Sequence, residues 1–315
     1  MASTDIDHAF MASELRGVST DPTYSGALSF MRRKYTKNVD GADMVVWGIP
    51  FDSSVSHRPG TRFGPQAIRA ASAIFDNDPQ YPFSANLFEN MSVVDYGDCL
   101  LDYGRPWEVV ERVENEANTI LDSGAFLLSM GGDHFVTWPL LKAHAERFGP
   151  LALVQFDAHQ DTWDDDGERI DHGTFVARAV NEGIIDPANS IQVGIRTHAP
   201  DDYGISIIHG DELEEMNADE VAKAITARVG QRPIYLTFDI DCLDPAFAPG
   251  TGTPVSGGPS SAKMLSIIRR LGHLDIKGAD VVEVSPSYDH AQITAIAGAT
   301  VLMYMLGLRS EKLKE

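Results

Sequence analysis

At residues 151–161 the sequence reads Leu-Ala-Leu-Val-Gln-Phe-Asp-Ala-His-Gln-Asp. The first six residues are mostly apolar, which is the pattern of a strand buried on both faces. Asp157, His159 and Asp161 then follow at alternate positions. Unpaired charge is costly inside a sheet, so we expect these side chains beyond the strand, in a cleft, around a shared positive charge. A divalent metal ion is the simplest candidate, and a hydrogen-bonded turn is the alternative that this stretch leaves open.

The rest of the chain alternates strand patterns with helix patterns. Apolar runs typical of buried strands occur at 44–49, 91–94, 125–130, 151–156, 190–195, 204–208, 233–238 and 276–284. Helical spacing occurs at 66–73, 106–122, 135–147, 173–182, 218–229, 260–271 and 291–308. This alternation predicts a parallel sheet with helices on both faces. No composition break divides the chain, so we expect one catalytic domain at 41–315 after an N-terminal arm at 1–40 that packs on the surface or on a neighbouring subunit.

The amino-acid composition indicates which classes of binding partner the protein favours. The 315 residues are 43% hydrophobic, enough for a large core, and carry a formal net charge of −21. That charge disfavours nucleic acid and favours small cationic molecules, with solubility or a saline habitat as the alternative explanation. The two cysteines, Cys99 and Cys242, form no disulfide framework and indicate a reducing, cytoplasmic setting. We find no signal-peptide pattern and predict no membrane span.

Two further strand patterns end in residues of the same kind. His134 follows 125–130, and Asp239 and Asp241 follow 233–238. The carboxyl ends of parallel strands meet at one edge of a sheet, so the three ends are expected to share a crevice. The metal-type side chains collected there are His134, Asp157, His159, Asp161, Asp239 and Asp241.

Four carboxylates in one pocket repel each other, and two divalent ions would compensate their charge. Oxygen ligands with a few imidazoles suit manganese, although zinc or cobalt would fit on charge alone. A pair of metal ions lowers the pKa of a bridging water, which predicts a hydrolase.

Three motifs resemble the manganese motifs of the ureohydrolase (arginase–agmatinase) family. They are Gly-Gly-Asp-His at 131–134, Asp-Ala-His-Gln-Asp at 157–161 and Asp-Ile-Asp-Cys-Leu-Asp-Pro at 239–245. Asp-His-Gly-Thr at 171–174 and the stretch 235–253 are also similar, and the bacterial agmatinases are the most similar branch. The resemblance, which runs from Met44 to Leu308, implies an α/β fold: a three-layer α/β/α sandwich around a mostly parallel sheet of about eight strands.

The resemblance also implies a cofactor and ligand sets. Two Mn²⁺ per subunit would be held, one by His134, Asp157, Asp161 and Asp239, the other by His159, Asp157, Asp239 and Asp241. Hydroxide between the ions would attack the guanidinium carbon of the substrate, and the metals with Asp241 would stabilise the tetrahedral intermediate. The family's usual assembly is a homo-oligomer, a trimer or hexamer.

Two further residues take roles from the resemblance. His172 matches a proton-shuttling histidine, and Glu283 matches a glutamate that binds the guanidinium group through paired N–H donors. From the residues alone, His172 could equally be a loop or helix-capping histidine. Glu283 could equally be an ordinary ion-pair partner.

The loop at 163–171 is expected to lie beside the far end of the substrate. It holds five acids against the single Arg169, and we expect Trp163 and Asp164 to contact substrate. Such a loop favours the ammonium of agmatine, giving urea and putrescine, over a carboxylate. A solvated loop facing away is the alternative, and Arg58 or Arg62 could still receive a carboxylate if they face the cleft.

Three other functions remain open from the sequence. A ureohydrolase acting on 4-guanidinobutyrate or 3-guanidinopropionate is the first. A two-metal phosphoesterase is disfavoured because no basic cluster accompanies the ligands. A non-catalytic relative is disfavoured because the expected ligands, His172 and Glu283 are all present.

Overall fold

The computed structural model describes residues 15–17, 22–75 and 79–313. Nine strands of these ranges form one sheet in which every pairing is parallel. The strands are β1 (Lys34–Tyr35), β2 (Met44–Ile49), β3 (Val93–Asp98), β4 (Phe126–Gly131), β5 (Ala152–Phe156), β6 (Ile191–Ile195), β7 (Ser206–His209), β8 (Ile234–Asp239) and β9 (Ile276–Val282). Their order across the sheet is β1-β3-β2-β4-β9-β8-β5-β6-β7.

Helices cover both faces of this sheet. They are α1 (Gly64–Ser72), α2 (Leu87–Asn90), α3 (Val109–Asp122), α4 (Thr137–Phe148), α5 (Phe175–Asn181), α6 (Gly210–Glu215), α7 (Ala218–Val229), α8 (Ser261–Ile268) and α9 (Ile293–Lys312). Side chains of α1, α7, α8 and α9 share one apolar cluster, and those of α3, α4 and α5 share another. Along β2, Val46 points into the first cluster and Trp47 into the second, as the alternation of a strand requires.

The predicted three-layer α/β/α fold is confirmed, with nine strands where about eight were expected. The extra strand, β1, has only two residues and pairs with β3 at the edge of the sheet, so no periodicity marks it in the sequence. It lies within the predicted N-terminal arm. Residues 1–14 and 18–21 of that arm lie outside the described residues.

The last helix is long and apolar enough to cross a membrane by length and composition, the one such helix in the described part of the chain. In the structure 72% of its apolar window is buried. Leu302 and Leu306 belong to the core cluster on its face of the sheet. The helix is therefore a core element, consistent with the expectation of no membrane span.

The three ligand-bearing strands are not all neighbours in the sheet. β5 and β8 are adjacent, but β9 separates β8 from β4. Glu283 directly follows β9, so the intervening strand brings its own carboxylate to the same edge. The four strand ends β4-β9-β8-β5 together form the floor of the site.

Candidate metal centre

His134 lies at the centre of three carboxylates. It opens the short turn after β4, while Asp157 follows β5 directly and Asp239 is the last residue of β8. Its Nδ1 atom lies 3.0 Å from Oδ2 of Asp157 and 3.1 Å from Oδ2 of both Asp161 and Asp239. All four side chains are buried. The structure thus brings together the four residues expected to hold one ion.

A second group forms around His159. Its Nδ1 atom lies 3.1 Å from Oδ2 of Asp241 and 3.5 Å from Oδ1 of Asp157. Asp157 therefore presents one carboxylate oxygen to each histidine. The donor atoms of Asp157, His159 and Asp241 lie within 4.8 Å of one another, as do those of His134, Asp157 and Asp239. Two adjacent groups sharing one carboxylate are the arrangement that a pair of metal ions needs.

The hydrogen bonds of His134 indicate that its Nδ1 atom is placed to bind a cation. Asp280 accepts the hydroxyl of Thr237 at 2.5 Å, so Thr237 Oγ1, 2.8 Å from Nε2 of His134, accepts the ring proton. In a neutral ring the lone pair of Nδ1 would face three carboxylates, and this buried atom has no hydrogen-bond partner among the described residues. Burial lowers the pKa of His134, but these carboxylates outweigh it and raise that pKa well above its ordinary value. A lone pair facing anions is tolerable only around a positive charge. The residues present therefore fit a metal ion.

The pKa values of the cluster report the same excess of negative charge. Burial by itself lowers the pKa of His159, but Asp241 and Asp157 outweigh it and raise that pKa to about 12. Burial and the neighbouring Asp157 carboxylate raise the pKa of Asp161 to about 6. Burial and the carboxylates of Asp241 and Asp157 hold the pKa of Asp239 well above its ordinary value. The metal-free cluster therefore binds protons that divalent cations would displace.

His172 and Glu283 form a buried pair beside this cluster. Nδ1 of His172 lies 2.8 Å from Oε1 of Glu283, and the same oxygen accepts the backbone N–H of His134 at 2.9 Å. Burial alone would lower the pKa of His172, but the Glu283 carboxylate raises it to about 9. The other oxygen of Glu283, Oε2, is buried and has no hydrogen-bond partner within the described ranges. It is a buried acceptor beside the carboxylates around His134.

Two site residues have a left-handed backbone. Asp161 has a φ of 52° and Glu283 a φ of 64°, a conformation that residues with a Cβ seldom adopt. Backbone hydrogen bonds hold both in place: the N–H of Val176 donates to the carbonyl of Asp161 at 3.1 Å, and the N–H of Glu283 donates to that of Gly132 at 2.8 Å. Strain of this kind clusters at functional sites, where the surrounding structure imposes it.

A cleft of about 430 Å³ opens above the cluster. His134, His159, Asp161 and Asp239 lie at its floor and His172 in its wall. Its rim includes Ser56, Trp163, Asp164, Arg169, Asp171, Pro200 and Thr253. A volume of this size suits a small extended molecule.

The acidic loop at 163–171 faces the cleft only in part. Asp164 lines the cleft, and no ion pair or hydrogen bond of its side chain is found in the described structure. Asp165 turns inward to a buried ion pair with Arg178 at 2.5 Å. Asp171 also lines the cleft, but it pairs with Arg169 at 2.7 Å. Asp164 is thus the acid of this loop best placed to meet a cationic group.

The two arginines that could have received a carboxylate do not line the cleft. Arg62 forms an ion pair with the buried Asp52. The guanidinium of Arg58 lies over the ring of Tyr288, 5.2 Å from its centroid. Both arginines instead make structural contacts.

Several residues that support the site escaped the sequence analysis. Gln155 donates to Asp157 Oδ2 at 2.8 Å, and Thr253 donates to Asp241 Oδ2 at 3.2 Å. Thr237 orients His134, and Ser56 contacts His172. Gln155 had a detectable signal, since it is a polar residue inside a strand buried on both faces. Thr237 and Thr253 lie in the stretch 235–253 that the resemblance covers, although the sequence did not show which ligand each contacts. Ser56 contacts His172 across 116 positions and carried no signal.

Comparison with known proteins agrees with this geometry. Residues 42–307 match the profile of the arginase family. The chain is 51% identical over 308 residues to the agmatinase of Chromobacterium violaceum, covering 97% of this chain and 96% of that protein. It is 46% identical to an agmatinase of Neisseria meningitidis serogroup B, covering 95% and 98%.

Solved structures are similar as well. A hypothetical agmatinase from Burkholderia thailandensis superposes with a TM-score of 0.97 at 48% identity, covering 98% of this chain and 99% of that one. The proclavaminate amidino hydrolase of Streptomyces clavuligerus superposes with a TM-score of 0.86 at 39% identity, covering 92% and 99%.

Proposed function

The chain belongs to the arginase family, and on that premise we propose that it hydrolyses the guanidinium group of agmatine to urea and putrescine. The observation that carries the proposal is the cluster around Asp157, where two histidines and three further carboxylates converge beside a free acceptor on Glu283. The alternative, a guanidino acid as substrate, is not favoured, since the two relatives that match along 95% or more of this chain's sequence are agmatinases.

We propose two Mn²⁺ per subunit as the cofactor. One would be held by His134, Asp157, Asp161 and Asp239, and the other by His159, Asp157, Asp239 and Asp241. The unpartnered Nδ1 atom of His134 and the oxygen-rich donor set support this assignment. When bound, the ions supply a water of lowered pKa as the nucleophile.

The chain's own residues bind and orient the guanidinium group. Glu283 Oε2 is buried and has no hydrogen-bond partner among the described residues, and we assign it to accept N–H donors of a planar guanidinium. Its other oxygen is held by His172 and by the backbone of His134, which fixes the carboxylate plane. We assign proton donation to the departing amine to His172, and Asp241 to the intermediate, as proposed catalytic roles.

The residues at the far end of the cleft favour a substrate with a cationic group at its tail. Asp164 and Trp163 line it as proposed substrate contacts, and the one arginine among the lining residues, Arg169, is paired with Asp171. The carboxylate of a guanidino acid would lie near Asp164 without a free cation. The Asp164 carboxylate would attract an ammonium group there and repel a carboxylate.

The same contacts argue against the other classes. A phosphoesterase needs positive side chains for its phosphate, and none of the described lining residues supplies an unpaired one. A non-catalytic relative has no need to keep a strained glutamate beside a complete ligand set. We further propose a role in polyamine biosynthesis in the cytoplasm and a homo-oligomeric assembly, a trimer or hexamer, which light scattering of the purified protein tests.

Urea release from a panel of guanidines tests the proposal. Protein loaded with manganese is assayed with agmatine, arginine, 4-guanidinobutyrate and 3-guanidinopropionate. We expect the highest kcat/KM with agmatine and stoichiometric putrescine. A higher kcat/KM with a guanidino acid would replace the substrate, and no urea from any of them would overturn the proposal.

A further inference from the structure

The guanidinium group of Arg196 contacts the backbone of the turn that carries Asp241. Its Nη2 atom donates to the carbonyl of Asp241 at 2.8 Å and to that of Val255 at 3.0 Å. Its Nη1 atom donates to the carbonyl of Cys242 at 3.0 Å and to that of Gly194 at 2.8 Å. All four acceptors are uncharged backbone oxygens, so the planar group joins three separate segments of the chain.

The turn at Ile240–Cys242 leaves two of its carbonyls to Arg196. It is a single short helical turn after β8, and the backbone N–H of Leu243 closes it at 3.2 Å. The carbonyls of Asp241 and Cys242 receive the guanidinium group. Because the end of a helical turn leaves its last carbonyls unpaired, the arginine supplies donors that the turn lacks.

The backbone of Arg196 contacts the other half of the second ligand group, which is the group around His159. Its N–H donates to the carbonyl of Ala158 at 2.8 Å. Ala158 lies between Asp157 and His159, and its own N–H donates to Oδ1 of Asp241 at 3.2 Å. The Asp241 carboxylate and the His159 ring, 3.1 Å apart, come from these two segments. One residue therefore contacts both, the first through its backbone and the second through its side chain.

The stem of Arg196 packs against two glycines. A Cβ atom at Gly210 would lie 2.6 Å from Cγ of Arg196, and one at Gly257 would lie 3.9 Å from Cδ. A separation of 2.6 Å is far below the usual contact distance of carbon atoms, so an alanine at position 210 would displace the arginine. The missing side chain at Gly210 thus leaves the room through which Arg196 reaches the turn.

We propose that Arg196 is a positioning residue for the metal ion assigned to the second ligand group, an inference that rests on the proposed function. It fixes the backbone of the turn so that the Asp241 carboxylate meets His159. None of the four hydrogen bonds of its side chain reaches His134 or Asp161, which belong to the first ligand group alone. Arg196 therefore acts on the second ion and not on the first.

Arg196→Lys tests this role because lysine keeps the positive charge and loses the planar fork. Manganese binding is measured by equilibrium dialysis with metal analysis. We expect the second ion to bind about 10- to 100-fold more weakly, and the first to change by less than about 2-fold. Half-maximal turnover should need correspondingly more manganese, while turnover at saturating manganese should approach that of the wild type.

Arg228→Lys is the matched control. The guanidinium of Arg228 also donates to backbone carbonyls, those of Pro187, Ser190 and Gly204. These carbonyls precede β6 and β7, at the edge of the sheet opposite the ligands. The control variant loses the same kind of contact, so it should leave both manganese affinities unchanged.

Two further variants separate geometry from a general loss of structure. Gly210→Ala keeps Arg196 but displaces its stem, so it should also weaken the second ion. His159→Asn removes a ligand of the second group and leaves the first ion to be measured alone. Adding Arg196→Lys to His159→Asn should change the affinity of that remaining ion by less than about 2-fold.

The outcomes separate this role from the proposed function. An unchanged affinity for the second ion in Arg196→Lys would overturn the role, and so would equal weakening of both ions. The dialysis involves no substrate, so activity on a different guanidine would change the proposed function and leave this result standing. A wild type that binds fewer than two manganese ions would overturn both the metal pair and the role of Arg196.

Discussion

His172 and Glu283, 111 residues apart in sequence, form a buried hydrogen bond of 2.8 Å between Nδ1 and Oε1. The same carboxylate oxygen receives the backbone N–H of His134, at the end of a different strand. One glutamate therefore joins His172 to the end of β4, and its second oxygen has no hydrogen-bond partner in the described part of the chain. Removing its charge should separate these roles.

We expect Glu283→Gln to lower kcat/KM for agmatine while leaving two manganese ions bound. Glutamine can still accept from His172, but its amide group turns a donor toward the donors of the guanidinium. Loss of a charge-assisted pair costs roughly 2–4 kcal/mol, or about 30- to 1,000-fold. Steady-state kinetics and metal analysis check this, and loss of manganese in this variant would mean that Glu283 holds the metal centre and not the guanidinium.

In the metal-free protein His172 should titrate with a pKa of about 9. Because this value is above that of the unfolded chain, the pair stabilises the fold fully below about pH 6.5 and loses that contribution as the pH rises through 9. NMR titration after chelation measures the pKa, with Glu283→Gln as the comparison. That variant should lower the pKa of His172, since it removes the charge that most strongly opposes the effect of burial. An unchanged pKa would exclude Glu283 as the cause.

Asp157→Asn should remove metal from both groups, because Asp157 presents one oxygen to each histidine. We expect fewer than two manganese ions per chain, turnover reduced roughly 1,000-fold or more, and loss of the rise in Tm that manganese gives the wild type. The same outcome is expected for Asp239→Asn. The control is Asp122→Asn, whose side chain is 80% exposed. Full manganese content with normal turnover in Asp157→Asn would contradict the assignment.

Asp164→Asn should raise KM for agmatine about 2- to 5-fold and leave kcat within about 2-fold. The expected loss is that of one solvent-exposed charge pair. Asp166→Asn is the matched control, since Asp166 is an exposed acid of the same loop that does not line the cleft. If both variants change KM equally, the loop acts through its total charge and not through a contact with the substrate's tail.

Asp165→Ala should destabilise the protein, because it leaves the buried guanidinium of Arg178 unpaired. Both side chains of this pair are 4% exposed, and Arg178 also donates to the carbonyl of Arg169 at 2.6 Å. The free energy of unfolding should fall by about 3–5 kcal/mol, whereas Asp164→Ala should change it by less than about 0.5 kcal/mol. Denaturant titration of the two variants measures both free energies of unfolding. Equal values would show that the pair between Asp165 and Arg178 does not stabilise the fold.

The fold and the ligand cluster were predictable because their signals are local. Each ligand motif follows its own apolar run, so a strand pattern and the rule for parallel strand ends suffice to place it. The position of β9 between β4 and β8 was not predictable, because strand order is set by packing of the whole chain. Similarly, consecutive acids such as Asp164 and Asp165 read alike in the sequence, and only the pairing with Arg178 separates their roles.

The left-handed backbone at Asp161 and Glu283 sets a limit on engineering this protein for heat resistance. Glycine would relieve the backbone strain at either position, so a design that scores stability alone would favour it there. Both positions, however, carry side chains of the proposed metal and substrate site. Glycine at either position would thus raise thermal stability at the expense of turnover. Stabilising substitutions should therefore be sought at sites remote from these two residues.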